Sequence, residues 1–253
     1  MLNAVGLSNP GFEYLLKYGE WQKRTNEHFH ISIQLESITW PDTVEEIRKI
    51  STLLQKYLPI SKYSYDIQLN ESCPNTGHSI EIDKNKLEDT KNRLQFFHHL
   101  LPNTKIWVKY NALIATDVLR FLKPYCEGFV VSNTIPFGSD CTINWKKWFK
   151  NGSSPLPKQL GKTGDEAKKF EGGLSGSIIF PIVKRKIIDI QLADPTLKII
   201  VGGGIMTKKD VNTVLQFSIV KGITLGTVAV LRPGRVNSLT TYANKKFAAK
   251  ENV

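Results

Sequence analysis

The sequence predicts an α/β fold built on parallel strands, and three observations carry that reading. Strand-length apolar or alternating runs recur between longer stretches of helical spacing throughout the 253 residues. No Pro-, Gly- or Ser-rich linker separates two blocks of them, so residues 1–253 read as a single domain. The residues with chemical character follow the C-terminal ends of strands, where parallel α/β architectures hold their ligands. Such alternation implies right-handed crossovers, in a barrel or in a doubly wound sheet.

Asn3-Ala4-Val5-Gly6-Leu7-Ser8-Asn9-Pro10-Gly11 is a loop rich in turn residues, running into a helix from Phe12 to about Trp21. Phe29 to Leu35 alternates as a strand. Pro41-Asp42 then opens a helix whose Ile47, Ile50, Leu53, Leu54, Tyr57 and Leu58 recur at helical spacing. Tyr63 to Leu69 is the second strand, and Leu87 to Leu101 an amphipathic helix with Leu87, Leu94, Phe97 and Leu101 on one face. His98 and His99 lie in it at adjacent positions, which do not share a face, and read as packing or surface residues. Lys105 to Asn111 is a strand, Asp117 to Tyr125 a helix, and Gly128 to Thr134 a further strand.

From Pro136 to about Lys169 no period is visible, and residues 136–170 read as a long basic loop insertion carrying Trp145 and Trp148. Gly172-Gly173-Leu174-Ser175-Gly176 leads into a helix from Ile178 to Leu192. Leu197 to Ile205 is a buried-type strand ending in Gly202-Gly203-Gly204, and Thr207 N-caps a helix reaching Phe217. Gly222 to Thr227 is the last strand, followed by a helix from about Gly234 to Lys250.

Composition narrows the function classes. With 41% hydrophobic, 10% aromatic and 23% charged residues the chain is globular and long enough to bury a substantial core. Cys73, Cys126 and Cys141 stand at unrelated spacings, with no CxxC and no disulfide framework, which points to a reducing compartment and a cytoplasmic protein. No apolar run approaches membrane-spanning length, and the first residues lack a signal-peptide pattern, so no membrane partner is expected. The net charge of +11 would suit an anionic partner. Its lysines are scattered over helix faces, however, which is the pattern of a solvated surface and not of a nucleic-acid track.

The chemistry concentrates in Leu69-Asn70-Glu71-Ser72-Cys73-Pro74-Asn75-Thr76-Gly77-His78, just past a strand. A lone strand-end cysteine is ordinarily a small buried hydrophobe. Asn70 and Asn75 around Cys73 weigh against that, because buried amides need partners. Two carboxamides flanking a thiol can hold a planar polar ring and move one proton on it. Gly202-Gly203-Gly204 and Gly226-Thr227 close the last two strands. Glycines there make tight turns, and they also free backbone N–H groups for a phosphate, a barrel feature after its last strands. The preceding Gly172-Gly173-Leu174-Ser175-Gly176 favours the phosphate reading. No metal-ligand motif stands out.

These residues resemble the dihydroorotate dehydrogenases, flavin-dependent (β/α)8 barrels of pyrimidine synthesis. The ordered matches are Asn3-Ala4-Val5-Gly6-Leu7-x-Asn9-x-Gly11, Asn70-x-Ser72-Cys73-Pro74-Asn75, Val108-Lys109, Ser132-Asn133-Thr134, Gly172-Gly173-Leu174-Ser175-Gly176, Val201-Gly202-Gly203-Gly204-Ile205 and Leu225-Gly226-Thr227. The resemblance implies a TIM-type barrel that binds FMN and oxidises dihydroorotate to orotate. It implies that Cys73 is the base at C5 of dihydroorotate while hydride leaves C6, and a cysteine there is similar to the soluble branch of the family. It further implies substrate contacts from Asn3, Gly6, Leu7, Asn70, Asn75, Asn133 and Thr134. FMN contacts would come from Lys109, Ser132, Gly173, Ser175, Gly176, Gly203, Gly204, Gly226 and Thr227.

The departure is at the start. In the family, two strands carrying a flavin contact and a second lysine precede the Asn3 loop, so about six of eight strands are expected here, with about 50–60 residues to be found elsewhere at roughly 30 residues per unit. An upstream segment or a second chain would supply them, and a homo-oligomer is expected. A second reading is a non-catalytic or flavin-deficient homologue acting as a binding or regulatory subunit. The acceptor stays open between fumarate, NAD through an iron–sulfur partner, and a quinone; no cysteine cluster of this chain could hold an iron–sulfur centre. The loop 136–170 reads equally as a lid, a partner dock or a surface insertion.

Overall fold

A computed structural model describes residues 1–4, 9–23, 28–37, 39–59, 62–71, 84–131 and 133–251. Its strands are β1 (Leu2–Asn3), β2 (His28–Ile33), β3 (Ser64–Asn70), β4 (Ile106–Tyr110), β5 (Gly128–Val131), β6 (Ile135–Pro136), β7 (Gly173–Leu174), β8 (Ile199–Val201) and β9 (Val220–Ile223). The helices are α1 (Phe12–Tyr18), α2 (Trp40–Tyr57), α3 (Lys84–Leu100), α4 (Thr116–Leu122), α5 (Trp145–Trp148), α6 (Leu156–Gln159), α7 (Gly164–Lys169), α8 (Phe180–Ala193), α9 (Lys208–Leu215), α10 (Thr227–Leu231) and α11 (Val236–Glu251).

Six strands form one parallel sheet in the order β2-β3-β4-β5-β8-β9, an incomplete barrel wall with helices on its outer side. The strand alternation sorts the two faces. Ile67, Leu69, Val108, Tyr110, Phe129 and Val131 point to the helices and join the main core. Asp66, Gln68 and Asn70 point the other way, as do Trp107, Lys109, Val130 and Ile200. Trp107, Val130 and Ile200 make a small apolar cluster on that inner face. Gly128 makes room for it, since a Cβ there would meet the Trp107 ring at 2.7 Å.

The helices follow their local signals. The Thr39 hydroxyl accepts from the Asp42 N–H at the start of α2, Pro41 fills its first turn, and Ile47, Ile50 and Leu54 bury its stripe. Thr207 and Asp210 form a reciprocal capping box on α9. No helix of the described residues is long and apolar enough to cross a membrane.

Three differences from the sequence reading bear on the site. The expected strand 128–134 ends at Val131, and the Asn133 carboxamide oxygen instead accepts from the Thr134 N–H at 2.9 Å, a local turn that competes with the ladder. The expected strand 222–227 ends at Ile223, and Thr227 begins the short helix α10. A second, antiparallel sheet of order β1-β7-β6 lies over the C-terminal rim, a pairing of two-residue strands too short to register as alternation. Within 136–170, α5, α6 and α7 are each one or two turns long. That is too short for a helical period to show, and Phe137, Trp145 and Phe149 pack together there.

Candidate functional site

The C-terminal ends of the parallel strands bring the polar residues into one row. Asn70 is paired with Lys109, and Lys109 with Val130; Gln34 follows directly on the Ile33–Leu69 pair. The Asn70 amide donates to the Gln34 carbonyl oxygen at 2.9 Å, and the Asn133 amide donates to the Asn70 carbonyl oxygen at 2.9 Å. One layer deeper, the Gln68 amide donates to the Ser32 hydroxyl at 2.7 Å. Each carboxamide thus holds the next, which fixes their orientation without charge.

Asn133, Gln68 and Lys109 line a cavity of about 430 Å³, together with Asn3 and Thr134. Its opposite side is made by Ser175, Gly203, Gly204, Gly226 and Thr227, with Ile179, Ile205, Leu225 and Val230 as apolar wall. Ser32 and Gln34 line a second cavity of about 480 Å³ beside α1 and α2, so the two hydrogen-bonded rungs form the partition between the cavities.

The chain start reaches this rim through the small sheet: Asn3 pairs with Gly173, and the Ser175 N–H donates to the Met1 carbonyl at 2.8 Å. The glycine turns meet one another. Gly204 has φ +86°, and a Cβ on it would stand 2.7 Å from the Gly176 carbonyl oxygen and 2.8 Å from Phe180 Cβ. On Gly176, at φ +98°, a Cβ would meet Thr227 Cγ2 at 3.3 Å. The absence of a side chain at Gly204 and Gly176 is what lets the 172–176 and 202–204 turns meet in this way, whereas Gly226 has open space about it.

The arrangement fits a phosphorylated, planar cofactor. Glycine turns with left-handed backbone present N–H groups to an anion, a lysine stands across the cavity, and the volume falls in the ~300–1,000 Å³ range of cofactor pockets. The carboxamide row offers donors and acceptors to a heterocycle's polar edge.

Of the residues singled out in the sequence, Asn3, Lys109, Asn133, Thr134, Ser175, Gly203, Gly204, Gly226 and Thr227 line the cavity. Asn70 stands behind Asn133, and Gly173 and Gly176 stand behind the lining as spacers for it. Gly6, Leu7, Cys73, Asn75 and Ser132 lie outside the described residues. Glu71, next along from Asn70, is held by Arg93 Nη1 at 3.2 and 3.3 Å and by its own N–H to the Lys109 carbonyl, which anchors the approach to the Cys73 stretch. Cys126 is no rival thiol: burial pushes it up to about 12, and its Sγ faces the Leu122 carbonyl in α4. Gln34 and Gln68 were missed. Gln68 is two residues before Asn70 on the same face of β3, so strand alternation held part of its signal, whereas Gln34 lies one residue past β2 and is placed by the strand register alone.

Comparison with known proteins agrees with this architecture. The family model described as dihydroorotate dehydrogenase matches residues 1–217. A dihydroorotate dehydrogenase A (fumarate)-type protein of Pediococcus pentosaceus is 28% identical over 216 residues, covering 83% of this chain and 61% of its own length. The dihydroorotate dehydrogenase B (NAD(+)) catalytic subunit of Thermotoga maritima is 22% identical over 246 residues, covering 96% of this chain and 77% of its own. The ligand-free dihydroorotate dehydrogenase structure from Eimeria tenella superposes with a TM-score of 0.53 at 15% identity, over 83% of this chain and 55% of that one, a likeness of fold. The chain thus spans about three fifths of the Pediococcus relative's length, 61%. With the family model matching residues 1–217 of the 253, the chain belongs to the dihydroorotate dehydrogenase family, whose members are flavin-dependent.

Proposed function

We propose that the chain carries the active site of a dihydroorotate dehydrogenase, oxidising dihydroorotate to orotate with FMN in the cavity at the C-terminal rim. The observation that carries this reading is the convergence of Asn3, Lys109 and Asn133 with the Gly203–Gly204 and Gly226–Thr227 turns on one cavity, each from a different segment. In this reading the 202–204 and 226–227 turns hold the cofactor phosphate through backbone N–H groups, with Ser175 beside them. Lys109 supplies positive charge near the ring system, where charge develops on reduction. FMN, when bound, accepts the two electrons that leave C6 of the substrate.

Asn3, Asn70, Asn75, Asn133 and Thr134 orient the pyrimidine edge, with the Gly6–Leu7 backbone on its carboxylate. The hydrogen-bonded chain Gln34–Asn70–Asn133 supports this, because it presets the amides and lowers the ordering cost of binding. Cys73 removes the C5 proton as a thiolate, which requires its pKa to be drawn down from about 8.5 by neighbouring hydrogen-bond donors or positive charge. Further strands, from a second chain or an additional segment, would complete the wall between the β2 and β9 edges, and a cytoplasmic homo-oligomer is consistent with this reading.

The test is dihydroorotate-dependent dye reduction by the flavin-loaded protein, alongside a Cys73→Ala variant. Loss of turnover with retained visible flavin absorbance is the expected result. Unchanged turnover in the variant removes Cys73 from the base role, and no turnover in the flavin-loaded parent overturns the proposed activity.

A further inference from the structure

At the opposite end of the strands, on the inner face of the sheet, stands a second group of potential ligands that the rim chemistry does not use. His28 and His30 are two residues apart on edge strand β2 and so share a face; Asp66 on β3 is the register partner of His30. One nitrogen from each imidazole and one carboxylate oxygen lie within 4.8 Å of one another. We propose that His28, His30 and Asp66 form a three-ligand site for a borderline divalent metal of the Zn²⁺ class, with a water in its fourth position.

The geometry favours a metal over a simple ion pair. His28 Nε2 stands 3.4 Å from Asp66 Oδ1, and His30 Nε2 stands 3.8 Å from Asp66 Oδ2. These separations are long for hydrogen bonds. The His28–Oδ1 separation matches the roughly 3.4 Å between neighbouring ligands of a tetrahedral ion bound at about 2.0–2.1 Å, and the three ligand atoms all lie within 4.8 Å of one another. Asp66 is 5% exposed, so its carboxylate is paired far from bulk water. It has one firm partner, the Trp107 indole N–H at 2.8 Å, which steadies Oδ2 and leaves Oδ1 toward His28.

The supporting shell is also in place. His28 Nδ1 lies 2.7 Å from the Ser64 hydroxyl, the outer contact that turns Nε2, with its lone pair, toward the centre. Two imidazoles and a carboxylate select Zn²⁺ or Co²⁺ over Mg²⁺, which prefers oxygen ligands alone. None of His28, His30 and Asp66 lines the rim cavity, whose lining on β3 begins at Gln68, about 7 Å along the strand from Asp66 at ~3.3 Å per residue, so the two groups of ligands are distinct. Its consequence is mechanical: the ion would tie edge strand β2 to β3 at the base of the sheet.

The test is titration of the metal-free protein with Co²⁺ followed by visible absorption, with Zn²⁺ competition and thermal unfolding. The parent is expected to bind one equivalent of Co²⁺ with four-coordinate d–d bands, to release it to Zn²⁺, and to melt higher with Zn²⁺ but not with Mg²⁺. In the His28→Gln/His30→Gln double variant both signals should vanish, and in His99→Gln, an exposed helix histidine, they should persist. If the double variant does not fold, His28→Gln alone, whose side chain is 49% exposed, should weaken Co²⁺ binding by at least the roughly ten- to hundredfold that loss of even an outer-shell partner causes. A six-coordinate Co²⁺ spectrum in the parent, or equal binding in the double or His28→Gln variant, overturns the site.

Discussion

At the scale of single residues, the site depends on amides that satisfy one another. Asn70 is the middle member: it donates to Gln34 and accepts from Asn133, and the latter also accepts from the Thr134 N–H. Replacing Asn70 by Ala strips a partner from both neighbours in a half-buried setting, where each unmet group costs about 1–3 kcal/mol unless water enters. The Asn70→Ala variant is therefore expected to lose on the order of 1–2 kcal/mol in urea unfolding. Under the proposed function it should lose turnover by a larger factor, because Asn133 loses the acceptor that its amide N–H is aligned on. Equal stability and unchanged kcat/KM in that variant would show that the amide chain is incidental.

At the scale of elements, the turn that closes β8 is legible as sequence, because glycine alone suits a left-handed turn packed against backbone. Gly204 carries the clearest demand. In Gly204→Ala the new methyl meets the Gly176 carbonyl and Phe180 at distances that real Cβ atoms do not adopt, on a residue already at φ +86°. The 172–176 and 202–204 turns must separate, so the variant is expected to fold with lowered stability and, under the proposed function, to release FMN on a gel filtration that the flavin-loaded parent survives. Retained flavin at parental stoichiometry would break the link between this turn and the cofactor. What could not be read was set by register. Gln34 and Gln68 matter through partners 36 residues away on the next strand. No local pattern records which strand lies beside which. The helices α5, α6 and α7 failed to show for a different reason: a segment of one or two turns has too few residues for an apolar stripe to repeat.

At the scale of the whole molecule, the sheet divides its labour by end. The rim of the strands gathers amides and glycine turns, whereas the base is stitched by charge where helices hand over to strands. Lys198 meets Glu127 at 2.6 Å beside the paired strands β5 and β8. On the same seam Lys123, just past α4, donates to Asp194, just past α8, at 2.7 Å, and also to the Thr196 hydroxyl. Lys123, with Thr196, draws the Asp194 carboxyl down from an ordinary 3.8 to about 2. A carboxyl whose folded pKa is depressed stabilises the fold above its unfolded pKa and loses that contribution as pH falls through the folded one. Asp194→Asn should therefore be less stable than the parent near neutral pH, by on the order of 1 kcal/mol given that the exposed Lys123 is partly screened by water. The gap should stay constant down to about pH 4 and close as the pH approaches about 2. Urea midpoints of both proteins across that range measure it directly. A gap that persists unchanged at the acid end would assign the loss to the Thr196 turn, which Asp194 also caps, and not to the ion pair that joins the two helix ends.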